Sequence, residues 1–489
     1  MAVADVDLDA LPTPGSLIDG QMHTGPTDEI YPHLYAANGK LTHEVPLGGE
    51  AEMDAAVTAA RKAFPAWKRM APNDRRNLMT AFAREVRRQS DALARLITAE
   101  NGSPTMGVGG MPTWVAELFE YNAGFTDKIG GQVVKTWGGP TDAFDYTLDE
   151  PWGVIAVIVP WNGPFVSFGQ TLAPALAAGN TVVIKPPELA PYSCLRLGQI
   201  ATEVGFPPGV INVVPGGPTG GNALVSHPGV DKIFFTGSGG TARKIQAAAI
   251  ANLTPAGFEL GGKSARLVFA DADLDAAARH ALSAAVGLAG QACIAGTRVL
   301  VEDSVYDQVI VKMTEIAGQI PIGDPRDPST IMGPVISAGA VDRIMGFIDR
   351  ATSVGCGLAF GGKRLGGELA DGYFIQPTIF ADMDNSEEVT RQEIFGPVVS
   401  VLRFHSEEEA VAIANDTDYG LAAYIETTDL KRAHRVSAAL DAGTVWVNGF
   451  FDLPVGAPFG GVKQSGFGRV GGQYGIQEFT RPKNVWMSL

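Results

Sequence analysis

Four short apolar runs constrain the fold of this chain more than any other feature: VIAVIV (Val154 to Val159), TVVI (Thr181 to Ile184), INVV (Ile211 to Val214) and KIFF (Lys232 to Phe235). Helical stretches starting near Pro191, Thr219 and Thr241 alternate with them. A strand that is apolar at every position has no face to turn to water, so it must be covered on both sides. Such runs, separated by helices, predict a parallel sheet of βαβ units. Ligands in these sheets sit at the carboxyl ends of the strands, so the residues just after each run carry the chemistry.

A second α/β stretch follows Glu259. ARLVF, RVLVE, VVSVLRF and AAYIE read as strands, with helices from about Asp273, Ser304, Glu407 and Asp429. Ahead of the first sheet, Met53 to Phe64 and Asn73 to Gln89 read as helices. In the second of these, Leu78, Phe82 and Val86 recur every four residues, which leaves Arg75, Arg84, Arg87 and Arg88 for the wet side. A hairpin over 133–148 interrupts the first unit, and the tail from Ile476 to Leu489 is apolar and β-like. Protruding elements of this kind pair with another subunit.

Composition sets the outer bounds. A net charge of −16 argues against nucleic acid or an anionic membrane as the main partner. Three cysteines in 489 residues make no disulfide framework. The opening MAVADVDLDALPTPGS lacks the basic and apolar regions of a signal peptide, and no apolar run reaches the roughly 18 residues that span a bilayer. A cytoplasmic location is expected.

Several short stretches could carry chemistry, and each also has a structural reading. GLAGQACIAGTR (Gly287 to Arg298) sets Cys293 among Gly and Ala. The thiol is either a small core residue or a nucleophile with room beside its sulfur. FELGGKS puts Glu259 at a strand end, as a salt-bridged structural residue or as a base whose pKa burial raises. In PWNGP, Asn162 is a turn residue or an amide donor for a developing oxyanion. Lys185 and Glu188 of VIKPPELAP form a surface ion pair, or offer a cation and a carboxylate to a polyhydroxyl ligand. FFTGSGGTARK matches G-x-G-x-x-G/A through Gly237, Gly239 and Ala242, which would make Glu259 a ribose-binding acid. Its firmer content is a helix N-terminus suited to a phosphate.

Taken together, the blocks PWN, KPPE, FTGS, ELGGKS, GQACIAGTR, EIFGPVV, GTVWVN and PFGGVKQSGFGR resemble, in order and spacing, the aldehyde dehydrogenase superfamily over about Ile18 to Val485. The resemblance implies an α/β fold with a Rossmann-like NAD-binding domain (1–127 and 149–258), a catalytic α/β domain (259–449) and a small β oligomerisation arm (128–148 and 470–489). It implies Cys293 as nucleophile, Glu259 as base and Asn162, with the Cys293 N–H, as oxyanion hole. Glu259 is then no ribose ligand. Lys185 and Glu188 match residues on the adenine ribose, Gly237 and Ser238 the pyrophosphate turn, and Glu393 and Phe395 a clamp on the nicotinamide; Trp161 and Leu260 adjoin the same cofactor. Cys194 and Cys356 match no catalytic position. Trp114, Gly163, Gln170, Ala292, Ile294, Phe451, Leu453 and Phe459 should lie near an aldehyde tunnel. That set holds no basic residue for a carboxylate and has Gly163 where an aromatic is common, which points to medium apolar or aromatic aldehydes. NAD is the expected cofactor, with NADP less favoured, no metal, and a homodimer or homotetramer as the assembly. A CoA-acylating semialdehyde dehydrogenase and a catalytically silent homologue are the alternatives.

Three positions depart from the family pattern. Thr171 stands where many members have Lys, and Val470 where many have Glu. That pair is thought to relay protons to the catalytic Glu, so Glu259 here should exchange its proton through water, the Thr171 hydroxyl or backbone groups. Ala242 replaces a glycine of the phosphate turn, which should only shift helix packing.

Overall fold

The computed structural model describes residues 3–8, 11–136 and 143–488. The apolar runs form the strands β1 (Val154–Ile158), β2 (Thr181–Lys185), β3 (Ile211–Val213), β4 (Lys232–Thr236) and β5 (Ala256–Glu259). They pair in parallel in the order β5-β4-β1-β2-β3. The chain winds outward from β1 in both directions, so the strand order reverses between β1 and β4. That reversal opens a crevice at their carboxyl ends. The first four residues of β1 are wholly excluded from solvent, as expected for a strand covered on both faces.

Two antiparallel strands extend the β3 edge. Ser16–Ile18 and Gln21–His23 are joined through Asp19 (φ 48°) and Gly20 (φ 76°), with Ile18 opposite Gln21. This is a two-residue turn with positive φ at both positions, which an Asp-Gly pair favours. The signal is in the sequence, in a front segment that reads only as helices above. At the other edge Gly466–Phe467 runs antiparallel to β5.

The second sheet contains β6 (Ala265–Val268), β7 (Arg298–Glu302), β8 (Thr378–Ala381), β9 (Val398–Phe404), β10 (Ala422–Glu426) and β11 (Thr444–Val447). These are parallel in the order β8-β9-β7-β6-β10-β11, with Gly357–Phe360 antiparallel on β8. A third sheet joins Thr480–Ser488 to Ala143–Pro151 and Val133–Val134. It contains the described part of the expected hairpin; residues 137–142 lie outside the described residues. The tail needs one correction. Gly472–Glu478 is a helix that packs on the main body, so extended structure starts at Thr480, not Ile476.

The helices that matter for the site are α1 (Glu50–Arg69), α2 (Pro72–Arg88), α3 (Pro164–Ala177), α4 (Tyr192–Glu203), α5 (Gly239–Ala249), α6 (Leu274–Val286) and α7 (Ala338–Ser353). In α2, Met79, Phe82, Ala83 and Val86 form the buried stripe. Arg75 corrects the expectation of a wet side: it is buried, its guanidinium lies 5.9 Å from the Trp67 ring and it donates to the Trp67 carbonyl at 3.2 Å. The carbonyl at the end of α1 gives the cation a reason to turn inward. Cys194 is buried in α4, and Cys356 lies just after α7. Among the described residues no helix is long and apolar enough to cross a membrane.

Candidate active site

Neighbouring strand ends build one wall of the site. β1 runs into Pro160, Trp161, Asn162 and Gly163, and α3 then starts with Pro164 at its first position. β4 runs into Gly237 and Ser238, whose hydroxyl caps α5 by accepting the Thr241 N–H at 3.3 Å. β5 ends on Glu259, in register with Thr236, and the Gly237 N–H donates to the Glu259 carbonyl at 3.0 Å.

Segment 287–296, between α6 and β7, forms the facing wall. Leu288 (φ 49°), Ala289 (φ 52°) and Gly290 (φ 72°) are all left-handed. A Cβ on Gly290 would lie 2.1 Å from the Gly396 carbonyl oxygen, so only glycine allows this approach. Gln291 pins the loop. Its side chain donates to the Leu288 carbonyl at 2.8 Å and accepts the Ile336 N–H at 2.9 Å. Its own carbonyl accepts an Asn162 Nδ2–H at 2.8 Å. The side-chain amide of Asn162 is thereby oriented by one hydrogen, and its second has no partner among the described residues. The two walls enclose a cavity of about 390 Å³ lined by Cys293, Glu259 and Asn162 together.

Burial dominates the electrostatics. Both carboxylate oxygens of Glu259 are buried without a hydrogen-bond partner. Desolvation holds its pKa well above the usual carboxyl range, against the pull of the Arg469 charge. The Cys293 thiol is pushed up to about 12 by burial and by the negative charges of Glu393 and Glu259. Burial also raises Glu393, whose Oε1 accepts the Gly262 N–H at 3.0 Å. Thr171 donates its hydroxyl hydrogen to the Ser167 carbonyl. Of the expected proton routes to Glu259, this one therefore offers only an acceptor lone pair.

Comparison with known proteins gives this geometry a family. The profile of the Aldehyde dehydrogenase family matches residues 23–485. The chain belongs to the aldehyde dehydrogenase family. It is 40% identical to human retinal dehydrogenase 2 over 478 residues, covering 96% of this chain and 91% of that one. It is 41% identical to an aldehyde dehydrogenase of Emericella nidulans, covering 97% and 95% of the two chains. Among solved structures, PnpE in complex with nicotinamide adenine dinucleotide superposes with a TM-score of 0.94 at 40% identity, covering 98% of each chain. Betaine aldehyde dehydrogenase from Staphylococcus aureus, in complex with NAD+, gives 0.95 at 35% identity, over 98% of this chain and 95% of that one. These agree with the NAD-dependent aldehyde dehydrogenase expected from the sequence.

Within this aldehyde dehydrogenase, the expected tunnel residues Trp114, Gly163, Gln170, Ala292, Ile294, Phe451, Leu453 and Phe459 all line the one cavity, with the Trp114 indole N–H donating to the Leu453 carbonyl at 3.0 Å. A Cβ on Gly163 would meet only Val166, at 4.0 Å, so the glycine does leave room there. Trp161, Gly237, Ser238, Leu260, Glu393 and Phe395 line it too, with Trp161 edge-on to Phe395 at 5.4 Å. Lys185 and Glu188 lie outside it, at the end of the adjacent strand β2. Lys185 is no surface cation: its buried ammonium donates to the Gly216 carbonyl, and desolvation lowers its pKa to about 8. Glu188 is half-buried. The strand ends fit a dinucleotide. Gly239 and Gly240 open α5, where the first N–H groups have no intrahelical acceptor, and a Cβ on Gly240 would meet nothing within 4 Å. Sequence reading missed Met111, Val166, Leu288, Arg343 and Trp446 in the cavity wall. Arg343 sits on α7, whose apolar spacing (Val341, Ile344, Ile348) was the available signal.

Proposed function

We propose that this chain oxidises a medium-sized apolar or aromatic aldehyde to the carboxylic acid, with NAD as coenzyme and a thioester on Cys293 as intermediate. The observation that carries the reading is the convergence of Cys293, Glu259 and Asn162 on one cavity whose remaining lining is mainly apolar and aromatic. Among the described residues Arg343 is the only cation in that lining, and its guanidinium donates to the Ile394 and Phe395 carbonyls. Among the described residues the lining holds no lysine and no second arginine for a substrate carboxylate. The relatives named retinal dehydrogenase agree with an apolar aldehyde.

In this mechanism the ribose hydroxyls of the adenosine fall to Glu188 and Lys185, the pyrophosphate to the start of α5, and the nicotinamide end to Glu393 and Phe395. The chemistry NAD supplies when bound is acceptance of a hydride. The Cys293 thiol gives up its proton to solvent water, Sγ attacks the aldehyde carbon as thiolate, and the resulting oxyanion accepts the second Asn162 Nδ2–H and the Cys293 N–H. Collapse of the oxyanion with loss of hydride leaves the thioester. Glu259, once ionised, takes a proton from water, the resulting hydroxide attacks the thioester carbon, and the acid departs as Cys293 is released. The same proposal includes a cytoplasmic setting and a homodimer or homotetramer joined through the three-stranded arm. A kcat/KM ranking over aliphatic, aromatic, carboxylate-bearing and cationic aldehydes tests it. Apolar aldehydes should rank first, and a carboxylate-bearing or cationic aldehyde in that place would overturn the substrate class.

A further inference from the structure

Behind the cavity, three side chains occupy one register across three adjacent strands. Arg266 on β6 is paired with Tyr424 on β10, and Tyr424 with Trp446 on β11. Residues in register on adjacent strands project to the same face of a sheet, where their side chains meet. The guanidinium carbon of Arg266 lies 4.3 Å from the Tyr424 ring centroid, and the Tyr424 and Trp446 rings stack at 5.2 Å with planes 15° apart. Phe450 joins the stack, 6.0 Å from Tyr424 and 5.9 Å from the Arg266 guanidinium carbon.

The two ends of this ladder differ. Trp446 is part of the cavity wall, and its indole N–H holds the Asp452 carbonyl at 2.7 Å, in the loop that carries Phe451 and Leu453. Arg266 is wholly buried, ion-paired with Glu426 and within 3.5 Å of the Gly449 carbonyl. Its Nε and Nη2 hydrogen-bond to nothing among the described residues. A buried cation kept for its ion pair would use its donor fork, since stranded donors oppose folding. Here the attraction of the ring faces is what the remaining guanidinium meets.

The middle of the ladder touches the nucleophile loop. The Tyr424 hydroxyl donates to the Ile294 carbonyl, the residue after Cys293, at 2.7 Å. Gly296 makes this reach possible, because a Cβ there would lie 2.9 Å from the Tyr424 ring. Ion pair, aromatic wall and nucleophile loop are therefore one mechanically continuous unit.

We propose that Arg266 and Tyr424 are positioning residues that set aldehyde selectivity: Arg266 fixes the Tyr424–Trp446 stack that forms the aromatic wall, and Tyr424 holds the backbone after Cys293 in place. The proposal rests on the reading of Cys293 as nucleophile and of the cavity as the aldehyde site. Arg266→Leu alone would strand Glu426, so the test pairs it with Glu426→Leu, which removes both buried charges. His280, the other partner of Glu426 at 3.0 Å, keeps 28% exposure and can turn to water. The folded double variant should bind NAD as the parent does, while the ratio of kcat/KM for benzaldehyde to that for acetaldehyde falls about tenfold, the usual worth of a misplaced pocket contact. Arg266→Lys keeps the charge and loses the plane, and should lose the same selectivity with little loss of stability. Tyr424→Phe keeps the ring and should lower kcat for both aldehydes by a common factor with the KM for NAD unchanged. Unchanged selectivity in a folded double variant, or full selectivity in Arg266→Lys, would overturn the proposal. Parent enzyme that oxidises aldehydes equally well as Cys293→Ala would instead bring down the reading beneath it.

Discussion

Glu259→Gln should separate two effects of one buried carboxyl that run in opposite directions with pH. Glu259 is 4% exposed, neither oxygen is hydrogen-bonded, and burial holds its pKa well above that of the unfolded chain. Between the unfolded and folded values, the unfolded chain has lost this proton and the native protein keeps it. The native state then binds one more proton, so its stability falls as pH rises, by about 1.4 kcal/mol per pH unit within that window, and is undiminished below the unfolded value. On the proposed mechanism activity should move the other way, because there only ionised Glu259 can activate water. Glutamine keeps the shape, cannot ionise and leaves its amide in the same unpartnered place, which adds an offset independent of pH. Urea unfolding of both proteins from about pH 5 to about pH 8 should therefore show curves that diverge, the variant gaining on the parent as pH rises. Steady-state turnover of the variant should fall by about 10²–10⁴. Parallel stability curves would refute the argument that Glu259 is held protonated by burial.

On the proposed reading, cofactor choice follows from Glu188, three residues beyond β2. Parent enzyme should prefer NAD without excluding NADP, and Glu188→Gln should raise the NADP-to-NAD ratio of kcat/KM; an unchanged ratio would remove Glu188 from the ribose site. Thr171 and Val470 are 2% and 1% exposed and line the cavity beside Glu259. Val470→Glu alone should lower stability by about 3–5 kcal/mol, and adding Thr171→Lys should restore part of it. A double-mutant cycle on unfolding free energy measures this, and strict additivity would show that the two positions do not face each other.

The sheets were legible because strands buried on both faces leave continuous apolar runs, and β1, β2 and β4 begin on their expected residues. The cavity residues from strand ends were legible for the same reason, since chemistry in such sheets gathers there. What escaped reading was polar chemistry hidden in apolar context. Arg75 looks like one of four arginines on a wet helix face until the end of α1 is seen to receive it. Arg266, between Ala265 and Leu267, gives no hint of Glu426, which lies 160 positions away. Arg343 enters the cavity from a helix whose place beside Glu393 depends on packing between distant segments. Periodicity reports which face is covered, and it says nothing of what covers it.

The covalent intermediate is the centre of the account, and slowing its hydrolysis should make it visible. Glu259→Gln, mixed with NAD and a preferred aldehyde, should be examined by intact mass and then by peptide mapping. The account predicts one acyl group per chain, carried on the peptide that contains Cys293 and absent when Cys293→Ala is added to the variant. No acyl adduct, or one carried by Cys194 or Cys356, would contradict it.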